Sequence, residues 1–241
     1  MMQRVVGAIP QTFKNNALYT FLKNKYVDIL TKRVSRLYCD YESIKRFYNK
    51  DKRIFIIGTG PSLLKTRLDL LEHETVMGVN TLFNEVKCSY YVVSDGVVFA
   101  KYWKEILSLD CPIFLPSWAG IEYLIHLRRY NKLKRFYPVA PIRDLTFDTV
   151  IISALYLACV MGFKKIYLVG CDFDYSGKEH FNDTKVVSKT IPYITGDYTE
   201  IFNNLEFIGE LFPEVKIYNA TVGGKLEVFP RISLEKISGL K

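Results

Sequence analysis

The 241-residue sequence contains no Cys-x-x-Cys pair and no Cys/His spacing suited to a metal, and its five cysteines, Cys39, Cys88, Cys111, Cys159 and Cys171, are scattered. That pattern argues against a disulfide scaffold and a zinc module. It points to reduced, mostly buried thiols in a cytoplasmic protein. No apolar run reaches membrane-spanning length and the N-terminus lacks a signal-peptide core, so neither a crossing segment nor export is expected. Internal repeats, low-complexity tracts and proline-rich linkers are also missing, which at this length leaves one domain with an appended segment. A Ser/His/Asp hydrolase elbow, a kinase loop and a helical H-E-x-x-H are all lacking.

What is present is a globular composition, 49% hydrophobic and 24% charged, with a net charge of +8 that is unevenly placed. Residues 1–53 hold twelve Lys/Arg against four Asp/Glu, whereas residues 54–241 hold twenty-one of each. Residues 1–53 therefore hold the whole excess, nearly all of it in an N-terminal arm, residues 1–52, and the charge-neutral remainder does not suit nucleic-acid binding. Within the arm Leu18, Phe21, Leu22, Tyr26, Leu30, Val34, Leu37, Tyr41, Ile44 and Phe47 recur at helical spacing, interleaved with Lys23, Lys25, Lys32, Arg33 and Arg36. Such a helix either lies on an anionic membrane surface, making the protein peripheral at the inner face, or docks on its own domain.

Beyond a boundary near Lys50–Lys52, apolar runs rich in β-branched and aromatic residues appear at 54–58, 76–80, 90–95, 111–116, 135–139, 165–170 and 216–220. Helical stretches separate several of them, notably 148–161 and 200–211. Alternation of strand and helix predicts an α/β, Rossmann-like, largely parallel sheet with flanking helices over residues 53–241. The basic, aromatic segment 120–135 has no strand pattern and reads as a lid, an acceptor-binding loop or a solvated helix face.

The first strand runs straight into Gly58-Thr59-Gly60-Pro61-Ser62. The two glycines allow positive φ and close backbone approach, and Ser62 is placed to cap a helix whose free N–H groups attract phosphate. Neither G-x-G-x-x-G nor a P-loop is completed, because Leu63-Leu64-Lys65 follows. The next two strands end in Asn80 and in Ser94-Asp95, polar groups suited to a ligand at the carboxyl edge of a parallel sheet.

The densest polar cluster, residues 170–183, brings Asp172, Asp174, Tyr175, Ser176, His180 and Asp183 past a strand end. Asp172-x-Asp174 has the chemistry to hold Mg²⁺ against a nucleotide's phosphates, or else the two are turn-forming, solvated carboxylates. His180 is the general-base candidate because imidazole titrates near neutrality. A second small-residue loop, with Asn219, Thr221, Gly223, Gly224 and Lys225, is able to close on a ligand or to form an ordinary turn.

Taken together, IIGTGPSL (56–63), VMGVNTLF (76–83), the 148–173 block ending in IYLVGCDF, and IYNATVGGKLEVFPRISL (217–234) resemble the 6-hydroxymethylpterin diphosphokinase MptE-like family. That family is similar to the motility accessory factors that glycosylate flagellin and to bacterial lipooligosaccharide sialyltransferases. The resemblance spans roughly residues 53–234. It implies nucleotide binding by Gly58, Thr59, Gly60, Pro61, Ser62 and Asn80, and the reading extends to Ser94, Asp95, Thr149 and Asn219. It implies a CMP-linked sugar donor and a glycan acceptor, with a lipid-linked glycan as one form. The chain departs from the sialyltransferase pattern at Thr59, where Asn is usual, and at Gly196, near the place of the usual catalytic histidine. Either His180 takes that role, assisted by Asp172 and Asp174, or the chemistry is that of a pyrophosphokinase using Mg-ATP. A non-catalytic nucleotide-binding scaffold is the third expectation.

Overall fold

In a computed structural model of the chain the described residues are 44–47, 53–83, 85–116, 136–139, 149–174 and 197–239. All seven apolar runs form strands: β1 (Arg53–Ile57), β2 (Val76–Val79), β3 (Tyr90–Val92), β4 (Ile113–Pro116), β5 (Phe136–Val139), β6 (Lys165–Val169) and β7 (Lys216–Asn219). They pair throughout in parallel, in the order β5-β4-β3-β2-β1-β6-β7. Among the described residues four helices accompany them: α1 (Gly96–Ser108), α2 (Val150–Val160), α3 (Thr199–Leu211) and the short α4 (Leu234–Ile237). Two 3₁₀ turns, Pro61–Lys65 and Leu68–Leu71, follow β1.

Strand side chains alternate between two cores. Ile54, Ile56, Met77, Val79, Ile166, Leu168 and Ile217 face one side with α2 and α3, while Phe55, Ile57, Val76, Tyr91, Tyr167, Val169 and Tyr218 face the other with α1. Both faces are covered, which is why the strands read as continuous apolar runs. On the α1 side Phe55 stacks on Tyr167 at 4.9 Å and Tyr167 on Tyr218 at 5.4 Å, so one aromatic row ties β1, β6 and β7.

The chain winds outward from β1 to β5, then returns through α2 to place β6 on β1's other side. Right-handed crossovers that reverse direction put their helices on opposite faces of the sheet. The reversal lies between β1 and β6, whose carboxyl ends carry Gly58 and Gly170. Ligands of open parallel sheets bind at such a switch point.

α2 is apolar nearly all round because it is buried nearly all round: Ile152, Ala154, Leu155 and Ala158 are fully covered. Among the described residues Cys111, Cys159 and Cys171 are buried and Cys88 is half-buried, all as free thiols. Burial pushes the Cys88 thiol up to about 12, so it stays protonated at neutral pH. No described helix is long and apolar enough to cross a membrane.

Leu155→Ala should cost about 2–5 kcal/mol of unfolding free energy, because it opens a cavity between α2 and the sheet. Urea unfolding monitored by circular dichroism reads this directly, and a loss under about 1 kcal/mol would mean that α2 repacks.

Candidate functional site at the sheet's switch point

The chain leaves β1 through Gly58, whose N–H donates to Val169 O at 2.8 Å, and Gly60, whose N–H donates to Gly170 O at 2.9 Å. Neither glycine has the positive φ that the sequence suggests; among the described residues the glycines that do are Gly162, Gly170, Gly223, Gly224 and Gly239. Space is what the turn requires. A Cβ on Gly58 would stand 2.4 Å from Gly170 O, and one on Gly60 would stand 1.8 Å from Asp172 Oδ2.

Ser62 also differs from expectation. The helix after the turn is a five-residue 3₁₀ segment whose N-cap is Gly60, with Pro61 in its first turn. Ser62 is buried and clasps Asp172: its N–H donates to Oδ1 at 3.1 Å and its hydroxyl donates to Oδ2 at 2.8 Å. The carboxylate thus takes the donors that a phosphate at this turn would need. Burial pushes the Asp172 carboxyl above its ordinary value of 3.8, against the opposing pull of the two Ser62 bonds.

The third segment of the site is the loop after β7. Lys225 N–H donates to Asp172 O at 2.7 Å, and a Cβ on Gly224 would stand 2.5 Å from that same oxygen. Lys225 Nζ pairs with Asp174 Oδ1 at 3.1 Å, with both side chains half-exposed. Asn219 is almost fully buried; its Nδ2 donates to Leu226 O and its Oδ1 accepts from Thr221 N–H. It shapes the loop from within. Arg231, to which the sequence reading gave no role, donates to the carbonyls of Thr221, Gly223, Gly224 and Leu226. The signal for it was a Gly-Gly turn, whose exposed carbonyls want a multivalent donor, followed closely by an arginine.

On the other flank of the switch point, Asn80 holds φ 47° just past β2, a conformation Asn tolerates better than most residues. Tyr91 hydroxyl donates to Asn80 O at 3.0 Å, and Asn80 Oδ1 accepts from Ser94 N–H at 3.3 Å. The backbone is pinned while Asn80 Nδ2 has no hydrogen-bond partner among the described residues. Asp95 is the N-cap of α1, accepting from Val97 and Val98 N–H. Thr149 is the N-cap of α2 but makes no side-chain capping bond. Four residues on, Ser153 is buried and its hydroxyl has no partner. Because α2 runs antiparallel to the strands, its first turn lies at the carboxyl edge.

The structure therefore brings the Gly58–Ser62 turn, Asp172, Asp174 and the 219–226 loop together, with Asn80, Ser94 and Thr149 at the same edge. His180 lies outside the described residues. Each Asp172 oxygen accepts a hydrogen bond from Ser62 and Asp174 faces the Lys225 ammonium, so a cation held by the two carboxylates would have to displace that ion pair. Among the described residues no group of three or more His, Cys, Asp or Glu side chains could hold a metal. Comparison with family models, curated proteins and solved structures found no match for this chain.

Asp172 binds its proton more tightly folded than unfolded, so its protonation favours the fold. That contribution is fully present below pH 3.8 and is lost as pH rises through the elevated folded value. Asp172→Asn should remove this dependence and leave stability at neutral pH within about 1 kcal/mol of wild type, or above it. Asp172→Ala, which strands both Ser62 donors, should cost about 1–3 kcal/mol. Urea midpoints from acid to neutral pH measure both; equal losses in the two variants would show that the carboxylate's charge is what the fold needs.

Proposed function

We propose that the chain is a nucleotide-dependent transferase. It moves a sugar of the nonulosonic acid class, such as sialic acid, from a CMP-activated donor to a cell-surface glycan. The observation that carries this reading is the unused donor set at the switch point of an all-parallel sheet: Asn80 Nδ2 and the uncapped first turn of α2 with Ser153. A helix N-terminus attracts phosphate through its free N–H groups and dipole, and an amide donor suits an acceptor on a base or ribose. The likeness of the four sequence blocks to the MptE-like and sialyltransferase families supports the same reading.

In the transfer, the acceptor hydroxyl attacks the anomeric carbon as a base takes its proton. The bond from that carbon to the phosphate oxygen breaks, and CMP leaves with the electron pair and one more negative charge. The α2 N-terminus stabilises that charge, and Lys225 adds to it, because its half-exposed pair with Asp174 is worth only about 0–1 kcal/mol and exchanges readily. His180 is the base in this scheme. The donor arrangement around Asp172 and Asp174 favours metal-independent transfer over a pyrophosphokinase drawing on Mg-ATP.

CMP or CTP should raise the melting temperature and ATP with Mg²⁺ should not; the reverse order would establish the kinase instead. Asn80→Asp keeps the side chain's shape and its acceptor for Ser94 N–H but removes the Nδ2 donor. It should weaken CMP binding by about tenfold or more with stability nearly unchanged, and unaltered affinity in calorimetry would rule Asn80 out of the site. His180→Ala should abolish turnover while leaving nucleotide affinity within a few-fold, and EDTA should leave wild-type turnover intact. Tight nucleotide binding without turnover on any donor would identify a scaffold.

A further inference from the structure

A cavity of about 340 Å³ opens beside the end of β7, lined by the loop that follows that strand, by the start of α4 and by Thr66 and Arg67 beyond the β1 turn. Its size is that of a small-molecule site. It adjoins the Asp172 segment, because Thr66 hydroxyl donates to Ser62 O at 2.9 Å and Thr221 Oγ1 accepts from Cys171 N–H at 3.0 Å. From β7 to β2 is about 14 Å, three spacings of roughly 4.8 Å, so a ligand here leaves Asn80 free.

The polar groups of the cavity are both donors and acceptors, and several are unspent. Arg231 commits Nη1 and Nη2 to four backbone carbonyls, which fixes its guanidinium and leaves Nε–H without an acceptor among the described residues. Arg67 binds Asp69 through Nε and Nη2 and keeps Nη1 in reserve. Ser233 Oγ accepts from Lys236 N–H at 3.3 Å, while its own proton has no acceptor among the described residues. Glu235 makes no hydrogen bond or ion pair among those residues. Val222, in the same lining, is 51% exposed and Ile232 half-buried.

A compact dianion suits this lining poorly: Asp69 already matches Arg67, four carbonyls surround Arg231, and Glu235 repels negative charge. A wholly apolar molecule would strand the donors and the carboxylate. A sugar ring meets both conditions, since its hydroxyls donate and accept and its C–H face packs on aliphatic side chains. We propose that this cavity binds a neutral, polyhydroxylated sugar ring, the terminal residue of the glycan acceptor. Glu235 accepts from its hydroxyls, Arg67 Nη1, Arg231 Nε and the Ser233 hydroxyl donate to them, and Val222 packs on the ring. The acceptor role rests on the transfer reading; the sugar binding rests on the cavity alone.

The test uses the full chain and the methyl glycosides of galactose and glucose. In ¹⁵N-amide spectra at roughly millimolar glycoside, the amides of Val222, Gly223, Ile232 and Ser233 should shift and that of Asn80 should not. Val222→Asp and Glu235→Ala, both at exposed side chains, should each weaken that binding about fivefold or more with the melting temperature unmoved. In the transfer assay each should raise the acceptor KM about fivefold or more while CMP affinity stays within about twofold. Shifts with inorganic phosphate but with neither glycoside would overturn the proposal in favour of an anion site. No shift with any probe, or unchanged glycoside affinity in both variants, would overturn it outright, and neither result would touch CMP binding at Asn80. Glycoside shifts at these amides in a protein that transfers nothing would sustain the sugar site and overturn only its acceptor role.

Discussion

The carboxylate of Asp172, clasped by Ser62 across the junction of β1 and β6, is the contact around which the carboxyl edge is organised. Hydrogen bonds to a charged acceptor contribute about 1.5–3 kcal/mol each, yet burying that acceptor works against them, and the raised pKa shows desolvation as the larger effect. A contact so finely balanced holds only if the chain approaches closely enough to complete it. Gly60 makes room on one side, Gly224 on another, and Gly170, at φ +65°, turns the backbone where a Cβ would strike Leu63 at 2.5 Å. Three segments far apart in sequence are thereby locked against one residue, two through its carboxylate and backbone neighbours and the third through its carbonyl.

The lock also fixes where charge can be received. A β1 turn with Gly-x-Gly looks like an anion cradle, but the N–H groups of Gly58 and Gly60 face backbone carbonyls and the Ser62 donors face a carboxylate that already belongs to the protein. Any phosphate must be met by other groups at the same edge, and α2 offers the first turn that no side chain caps. The edge is thus divided: donors on the β2–α2 flank, and a carboxylate pair with one exchangeable ammonium on the β6–β7 flank.

Much of this was legible in the sequence, and the failures share a cause. Seven strands followed from runs of β-branched and aromatic residues, because both faces of a parallel sheet are buried and leave a strong signal. The meeting of the Gly58 turn with the Asp172 segment followed from parallel topology alone. What escaped was the use of each polar group. Asp95 caps a helix, Asn219 shapes a loop from inside the core, and Ser62 serves a carboxylate instead of a helix end. A residue's type limits the bonds it can make, while the choice among them depends on partners over a hundred positions away, as Ser62 and Asp172 are. Arg231 and Ser153 were missed for the complementary reason: one is defined by carbonyls and the other by the lack of any partner, and neither condition is written in local sequence.

The distribution of satisfied and unsatisfied groups separates architecture from chemistry here. Asn219, Asp95 and Arg231 direct their hydrogen bonds to the backbone and so serve the fold. Asn80 is built the other way: Tyr91 and Ser94 fix its strained backbone and its oxygen, and the amide nitrogen is left over. Holding a non-glycine residue at positive φ costs about 1–3 kcal/mol, a cost that persists only where the surroundings enforce it. In Asn80 the enforcing contacts and the spare donor lie on one residue, so the amide nitrogen is held in place without being used by the described part of the protein.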